Sequence, residues 1–306
     1  MKRKLRIFPI ISLIAILVVV IYAISLIVKI FDNGNVGKKD DAASVQDVVD
    51  NVDKNHESDT AVELPVIDEV PTVYEEEEIN FEEGAPQPVY TQAQLLEMYP
   101  DTVLGKTDDA GQSYINDMIF IGDSTTHGMA FYGVLEGGKK TTQVWTPKSG
   151  TLAMWNLLTE NIVYPDDESE MLIGDAIEIK RPQIVVLTLG VNGVSSLTEE
   201  QFKGYYGDLI DLIKEKSPDT EIITQSIYPV CDYYEIKSIS MEKINRANGW
   251  IVELASEKDV YYLNTITALV NEKGYLNNDF CNGDGIHISE SGFKVILEYI
   301  RTHSIQ

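Results

Sequence analysis

Ester cleavage by a serine needs a hydroxyl that a neighbouring base can deprotonate, and Ser124 is placed for such a reaction. It stands in Ile121-Gly122-Asp123-Ser124-Thr125, which closes an apolar run beginning at Met118. A glycine there permits a tight turn, and a serine at the carboxyl edge of a strand would face a ligand crevice. The same three residues, Gly122-Asp123-Ser124, also make an ordinary turn with a helix N-cap. Asp123 reads as the residue that caps and braces this elbow, not as a reacting group.

Of the four histidines, His56 lies in an acidic stretch and His303 close to the C-terminal end. His127, three residues past Ser124, fits a helix face or a local polar contact. His287 lies in Gly283-Asp284-Gly285-Ile286-His287-Ile288-Ser289, a turn-rich loop. Asp284 and His287 can share one turn there, the carboxylate bonding Nδ1 and leaving Nε2 for the serine. Read locally, the loop is also a satisfied histidine beside a helix-capping aspartate. Two other loops offer hydrogen-bond donors. Asn192, in Leu189-Gly190-Val191-Asn192-Gly193, could donate its amide to an oxyanion, or be a turn asparagine before glycine. In Lys148-Ser149-Gly150-Thr151 a backbone N–H at Gly150 could be a second donor, although helix entry explains that glycine nearly as well.

These residues need a scaffold that presents several loops on one edge. Short apolar or β-branched runs predict strands over Met118 to Ile121, Thr142 to Thr146, Ile184 to Leu189, Glu221 to Ile227 and Val260 to Leu263. Helical spacing predicts helices over Gly128 to Leu135, Leu152 to Leu158, Leu172 to Lys180, Glu199 to Lys216, Met241 to Glu257 and Glu290 to Thr302. A further helix opens at Thr91, where Thr91 and Gln94 match a capping box, and ends at Pro100. The alternation implies an α/β fold with a doubly wound parallel sheet covered on both faces. Ligands bind such sheets outside the carboxyl ends of the strands, where the four candidate loops fall.

Taken together, Gly122-Asp123-Ser124, Gly150, Gly190-Val191-Asn192 and Asp284-Gly285-Ile286-His287 resemble, in that order, the four blocks of the SGNH hydrolases, the GDSL-like lipases and acylhydrolases. The resemblance covers about Met118 to Ile300. It implies a flavodoxin-like three-layer α/β/α sandwich with sheet order 2-1-3-4-5. It also implies a catalytic triad of Ser124, His287 and Asp284, with an oxyanion hole from the Ser124 N–H, the Gly150 N–H and the Asn192 side chain. Many members follow the asparagine with aspartate, whereas this chain has Gly193, as do some that resemble cell-wall O-acetyltransferases and their esterase relatives. No metal-ligand spacing, P-loop or dinucleotide fingerprint occurs, and no cofactor is expected.

The rest of the sequence concerns location. Residues 1–6 form a basic tail with Lys2, Arg3, Lys4 and Arg6, and residues 7–30 the expected transmembrane anchor, apolar from Ile7 to Val28. A helix of that length spans about 30 Å of hydrocarbon, and the positive-inside rule keeps the tail cytoplasmic. Residues 31–84 are acidic and aperiodic, which reads as a disordered stalk of roughly 40 Å end to end. Residues 85–306 form the hydrolase domain, expected to be extracytoplasmic. A net charge of −25 excludes nucleic acid as a partner. Cys231 and Cys281, the only cysteines, could pair in an oxidising compartment. The expected activity is hydrolysis of a short O-acyl ester, such as acetyl, on an envelope glycan. Transfer of the acyl group to a sugar hydroxyl, or a non-catalytic binding module, are the competing readings.

Overall fold

A computed structural model describes residues 81–234 and 238–306. The expected tail, membrane anchor and nearly all of the stalk lie outside the described residues. Among the described residues no helix is long and apolar enough to cross a membrane. The last stalk positions, 81–84, are described: the Glu82 N–H donates to the Glu272 carbonyl at 2.8 Å, so the chain is already tied to the domain there.

The strands in chain order are β1 (Met118–Gly122), β2 (Val144–Trp145), β3 (Asn161–Tyr164), β4 (Ser169–Leu172), β5 (Ile184–Thr188), β6 (Glu221–Gln225) and β7 (Tyr261–Leu263). The helices are α1 (Gln92–Met98), α2 (Gly111–Asn116), α3 (Ser124–Tyr132), α4 (Ile173–Lys180), α5 (Glu199–Lys216), α6 (Met241–Glu257) and α7 (Glu290–Arg301). Five strands make a parallel sheet ordered β2-β1-β5-β6-β7, with Ile119 opposite Val185 and Val185 opposite Ile222. Counting only those strands, the order is the expected 2-1-3-4-5.

Alternation along the strands divides the core in two. Ile119, Ile121, Val185 and Leu187 face a layer containing α1, α4, α5 and α6, whereas Met118, Phe120, Ile184 and Val186 face one containing α2, α3 and α7. Every residue of β1 and β5 is buried, because both faces of the sheet are covered. Helix α5 shows how the sequence sets this packing. Phe202, Tyr206, Leu209, Ile210 and Ile213 recur at helical spacing and are all buried. Thr198 and Gln201 close a capping box ahead of them, a cap of about 1 kcal/mol. Thr91 and Gln94 form the expected box on α1.

Two expected helices change. The Leu152 to Leu158 segment is a single 3₁₀ turn, Met154–Asn156, in which Leu152, Met154 and Leu157 are buried while Trp155 and Leu158 are exposed. Those buried positions are two and three residues apart, a spacing that a continuous helix does not place on one face. Helix α3 starts at Ser124, four residues earlier than expected, because the chain turns directly from β1 into it. The antiparallel β3–β4 hairpin and the short helix α2 have no counterpart in the sequence reading. The hairpin is attached beside β2 by Val163 N–H donating to the Thr146 carbonyl at 2.9 Å and by Trp145 packing edge-on against Tyr164.

Candidate active site

The elbow after β1 is fixed from both sides. Asp123 caps α3, its Oδ1 accepting from the Thr125 N–H at 3.0 Å and the Thr125 hydroxyl at 2.7 Å. Burial raises the Asp123 pKa, and those two hydrogen bonds partly offset the rise. Gly122 permits the turn because a Cβ there would lie within 2.5 Å of the Thr188 carbonyl oxygen and would also strike Thr126. Ser124 therefore becomes the first residue of α3, half-buried at the carboxyl edge of the sheet.

The loop before α7 folds on itself. Asn282 N–H donates to the His287 carbonyl at 3.0 Å, Cys281 and Ile288 form an isolated antiparallel bridge, and Ser289 caps α7. Inside it, Asp284 Oδ1 accepts from the N–H groups of Ile286 and His287, both at 2.9 Å. Asp284 Oδ2 lies 2.6 Å from His287 Nδ1, and His287 Nε2 lies 3.0 Å from Ser124 Oγ. The three residues, two of them 163 positions apart in sequence, thus form one hydrogen-bonded chain.

Its electrostatics fix the proton positions. Burial alone would raise the Asp284 pKa, but the His287 side chain and the two backbone N–H donors outweigh it and hold the carboxyl at about 2. An ionised carboxylate only accepts, so Nδ1 carries a proton, and in the neutral ring Nε2 is left with a lone pair toward Ser124. The folded pKa lies below the ordinary 3.8, so this interaction stabilises the fold above that value and is lost as pH falls toward about 2.

The oxyanion candidates are arranged less simply. Asn192 Nδ2 donates to Thr151 Oγ1 at 3.3 Å and to the Leu152 carbonyl at 3.5 Å, which brings the loop after β5 against the loop after β2. Gly150, in that second loop, has its N–H directed at the Pro147 carbonyl at 2.7 Å, where it closes a turn. As an oxyanion donor it would have to share or give up that bond. His127 is turned elsewhere, with Nδ1 at 3.2 Å from Thr146 Oγ1. Gly193 explains itself by packing: a Cβ there would lie 2.9 Å from Met154 and 3.0 Å from Leu197, so an aspartate does not fit without rearrangement.

Spacing gave no sign of the polar network behind the site. Thr188 Oγ1 donates to Gln225 Oε1 at 2.7 Å and Gln225 Nε2 to Thr265 Oγ1 at 2.6 Å, all three residues buried. It joins the ends of β5 and β6 to the turn after β7, and satisfied buried bonds of this kind make a rigid support. An isolated threonine or glutamine at a strand end has no sequence signature. A small cleft lined by Pro88, Val89, Tyr90, Asn245, Asn248 and Asn264 includes none of the candidate site residues.

Comparison with known proteins gives the family. No curated protein matches the sequence. Among solved structures, the chain is similar to the periplasmic domain of the lipopolysaccharide acetyltransferase of Salmonella ser. Paratyphi A, 18% identical over 71% of this chain and 90% of that one, with a TM-score of 0.42. It is similar to a GDSL-like lipase from Bacteroides thetaiotaomicron, 14% identical over 61% and 87%, TM-score 0.40. A carbohydrate esterase family 3 protein from Talaromyces cellulolyticus is 16% identical over 60% and 93%, TM-score 0.40. The profile of the GDSL-like Lipase/Acylhydrolase family matches residues 120–295, from β1 into α7, and so spans Ser124, Asn192, Asp284 and His287. With more than half of its length matched, the chain belongs to the GDSL-like lipase/acylhydrolase family.

Proposed function

We propose that the protein is a membrane-anchored serine esterase that hydrolyses short O-acyl esters, acetyl foremost, on cell-envelope glycans outside the cytoplasm. The observation that carries the chemistry is the continuous path from Ser124 Oγ through His287 to Asp284, at 3.0 and 2.6 Å. Ser124 Oγ attacks the ester carbonyl as His287 Nε2 takes its proton, and Asp284 holds the imidazolium that results. The oxyanion is received by the Ser124 N–H at the start of α3 and by the Asn192 amide. His287 returns its proton to the departing sugar oxygen. It then deprotonates a water, which attacks the acyl-enzyme and regenerates the Ser124 hydroxyl. Gly150 contributes a donor only if its N–H is shared with the Pro147 carbonyl.

Two features of the sequence support the glycan. An apolar run followed by an acidic stalk would hold the domain near, but not on, an anionic surface, which suits an immobile polymer better than a diffusible ester. The polar residues on the loops after β2 and β5 and in the loop before α7, Thr151, Asn192, Asp284 and His287, suit a hydroxylated substrate better than a long acyl chain. If a sugar hydroxyl replaces water in the second half-reaction, the same residues make an O-acyltransferase.

A fluorophosphonate probe incubated with the full chain is expected to label Ser124, and labelling should vanish in Ser124→Ala. Labelling that persists in that variant would remove the nucleophile from the proposal. In a panel of esters, acetyl should be cleaved faster than octanoyl, and a preference for octanoyl would make the protein a lipase. Adding acetylated polysaccharide with a free sugar acceptor separates hydrolysis from transfer, by acetate release against a new sugar ester.

Asn192→Ala is expected to lower kcat by about 10²- to 10³-fold with little change in KM, the usual loss on removing an oxyanion donor. A fall confined to KM would mean that Asn192 only holds the loop around Thr151.

A further inference from the structure

Both cysteines converge on one glycine of the loop that carries Asp284 and His287. Cys231, buried six residues beyond β6, donates its N–H to the Gly285 carbonyl at 2.8 Å. Cys281 Sγ accepts from the N–H groups of Gly285 at 3.2 Å and Gly283 at 3.4 Å, the residues on either side of Asp284. The Tyr233 hydroxyl stands 3.5 Å from Cys281 Sγ, two residues along the chain from Cys231. The two cysteines thus bond the same residue, Gly285, one through its carbonyl and the other through its N–H, which makes them neighbours across the loop and candidates for a disulfide.

We propose that Cys231 and Cys281 form an intrachain disulfide by thiol–disulfide exchange, clamping the Asp284–His287 loop to the segment after β6. The exchange has a defined order. Burial, with the neighbouring Cys281 thiol, pushes the Cys231 thiol up to about 12, whereas Cys281 is the half-buried, reachable sulfur. Cys281 gives up its proton and attacks a small-molecule disulfide, forming a mixed disulfide and releasing one thiol. Cys231 then attacks the Cys281 sulfur of the mixed disulfide, its proton passing to the departing thiolate, which leaves as the second thiol. Two thiols are oxidised to one disulfide, and the small disulfide is reduced to two thiols.

Bridging the loop removes freedom from the unfolded chain and from the loop itself, so melting should rise by roughly 5–10 °C over the reduced protein. The test uses the full chain in three states: reduced with dithiothreitol, treated with oxidised glutathione, and re-reduced. Glutathione treatment should leave no free thiol on unfolding, a mass lower by two hydrogens, and a raised melting temperature that dithiothreitol reverses. Cys231→Ser and Cys281→Ser should lack that shift. Two free thiols after treatment, or a glutathionyl adduct on Cys281 without an intrachain bond, would overturn the proposal. These readouts do not depend on catalysis. Its further consequence, that only the oxidised form keeps ester-cleaving activity after heating, rests on the esterase reading. An oxidised protein with no activity would sink that reading and leave the disulfide standing.

Discussion

Replacing His287 with alanine is expected to lower kcat for acetyl esters by about 10⁴-fold or more, the scale seen when a triad base is lost. The hydroxyl of Ser124 has His287 Nε2 as its hydrogen-bond acceptor at 3.0 Å, and Asp284 reaches the serine only through that ring. The substitution leaves the loop its folding contacts. The N–H that donates to Asp284 Oδ1 and the carbonyl that accepts from Asn282 both belong to the His287 backbone, so alanine keeps them. A loss of activity with unchanged melting therefore reports on proton transfer. His127→Ala is the control, since its ring bonds Thr146 and not the serine; most activity should survive. Asp284, held at about 2, stays ionised through the neutral range and adds no pH dependence of its own there. Should His127→Ala abolish turnover while His287→Ala does not, the base has been misassigned.

The parts of the fold that the sequence made legible are those where burial leaves one option. Strands β1, β5 and β6 are buried along nearly their whole length, so each appears as an unbroken apolar or β-branched run and was placed to within two residues at either end. Helices α5 and α6 have one buried face and polar capping residues, and both spans were read correctly from period and caps. The β3–β4 hairpin shows the opposite condition. It lies beside the main sheet; β3 buries only Ile162 and Tyr164, β4 buries no residue, and Ser169 and Glu170 carry no strand preference. Leu152 to Leu158 failed for another reason: almost every residue there is apolar, so no period is defined, and the buried ones are selected by tertiary contact. The hydrogen-bonded grouping of Ser124, His287 and Asp284 could be anticipated because few histidines exist and one has a carboxylate three residues away. Gly150 was the weakest of the blocks, and a glycine says only that the backbone bends there. Which way its N–H points is decided by Pro147, three residues earlier.

Asp284→Asn is expected to reduce kcat nearly as far as His287→Ala, about 10⁴-fold, without unfolding the loop. The reasoning turns on what an amide can do in this position. Asp284 Oδ1 accepts from the N–H groups of Ile286 and His287 at 2.9 Å, and an asparagine must keep its oxygen there to avoid leaving both donors unpaired. Its NH₂ then replaces Oδ2 and faces His287 Nδ1, at the site of the 2.6 Å contact. An NH₂ group only donates, so Nδ1 has to become the acceptor and the ring proton moves to Nε2. Nε2 now points an N–H at Ser124 where a lone pair is required, and the serine has no base although every heavy atom is in place. Asp284→Ala differs in kind, because it removes the acceptor for both backbone N–H groups and should loosen the loop as well as slow the reaction. Measuring kcat alongside melting separates the two variants. If Asp284→Asn retains more than about a tenth of wild-type kcat, a loss of only about 1.4 kcal/mol, the carboxylate does not set the tautomer. Asp284 would then be a structural cap of the loop, and His287 would act on Ser124 without an orienting partner.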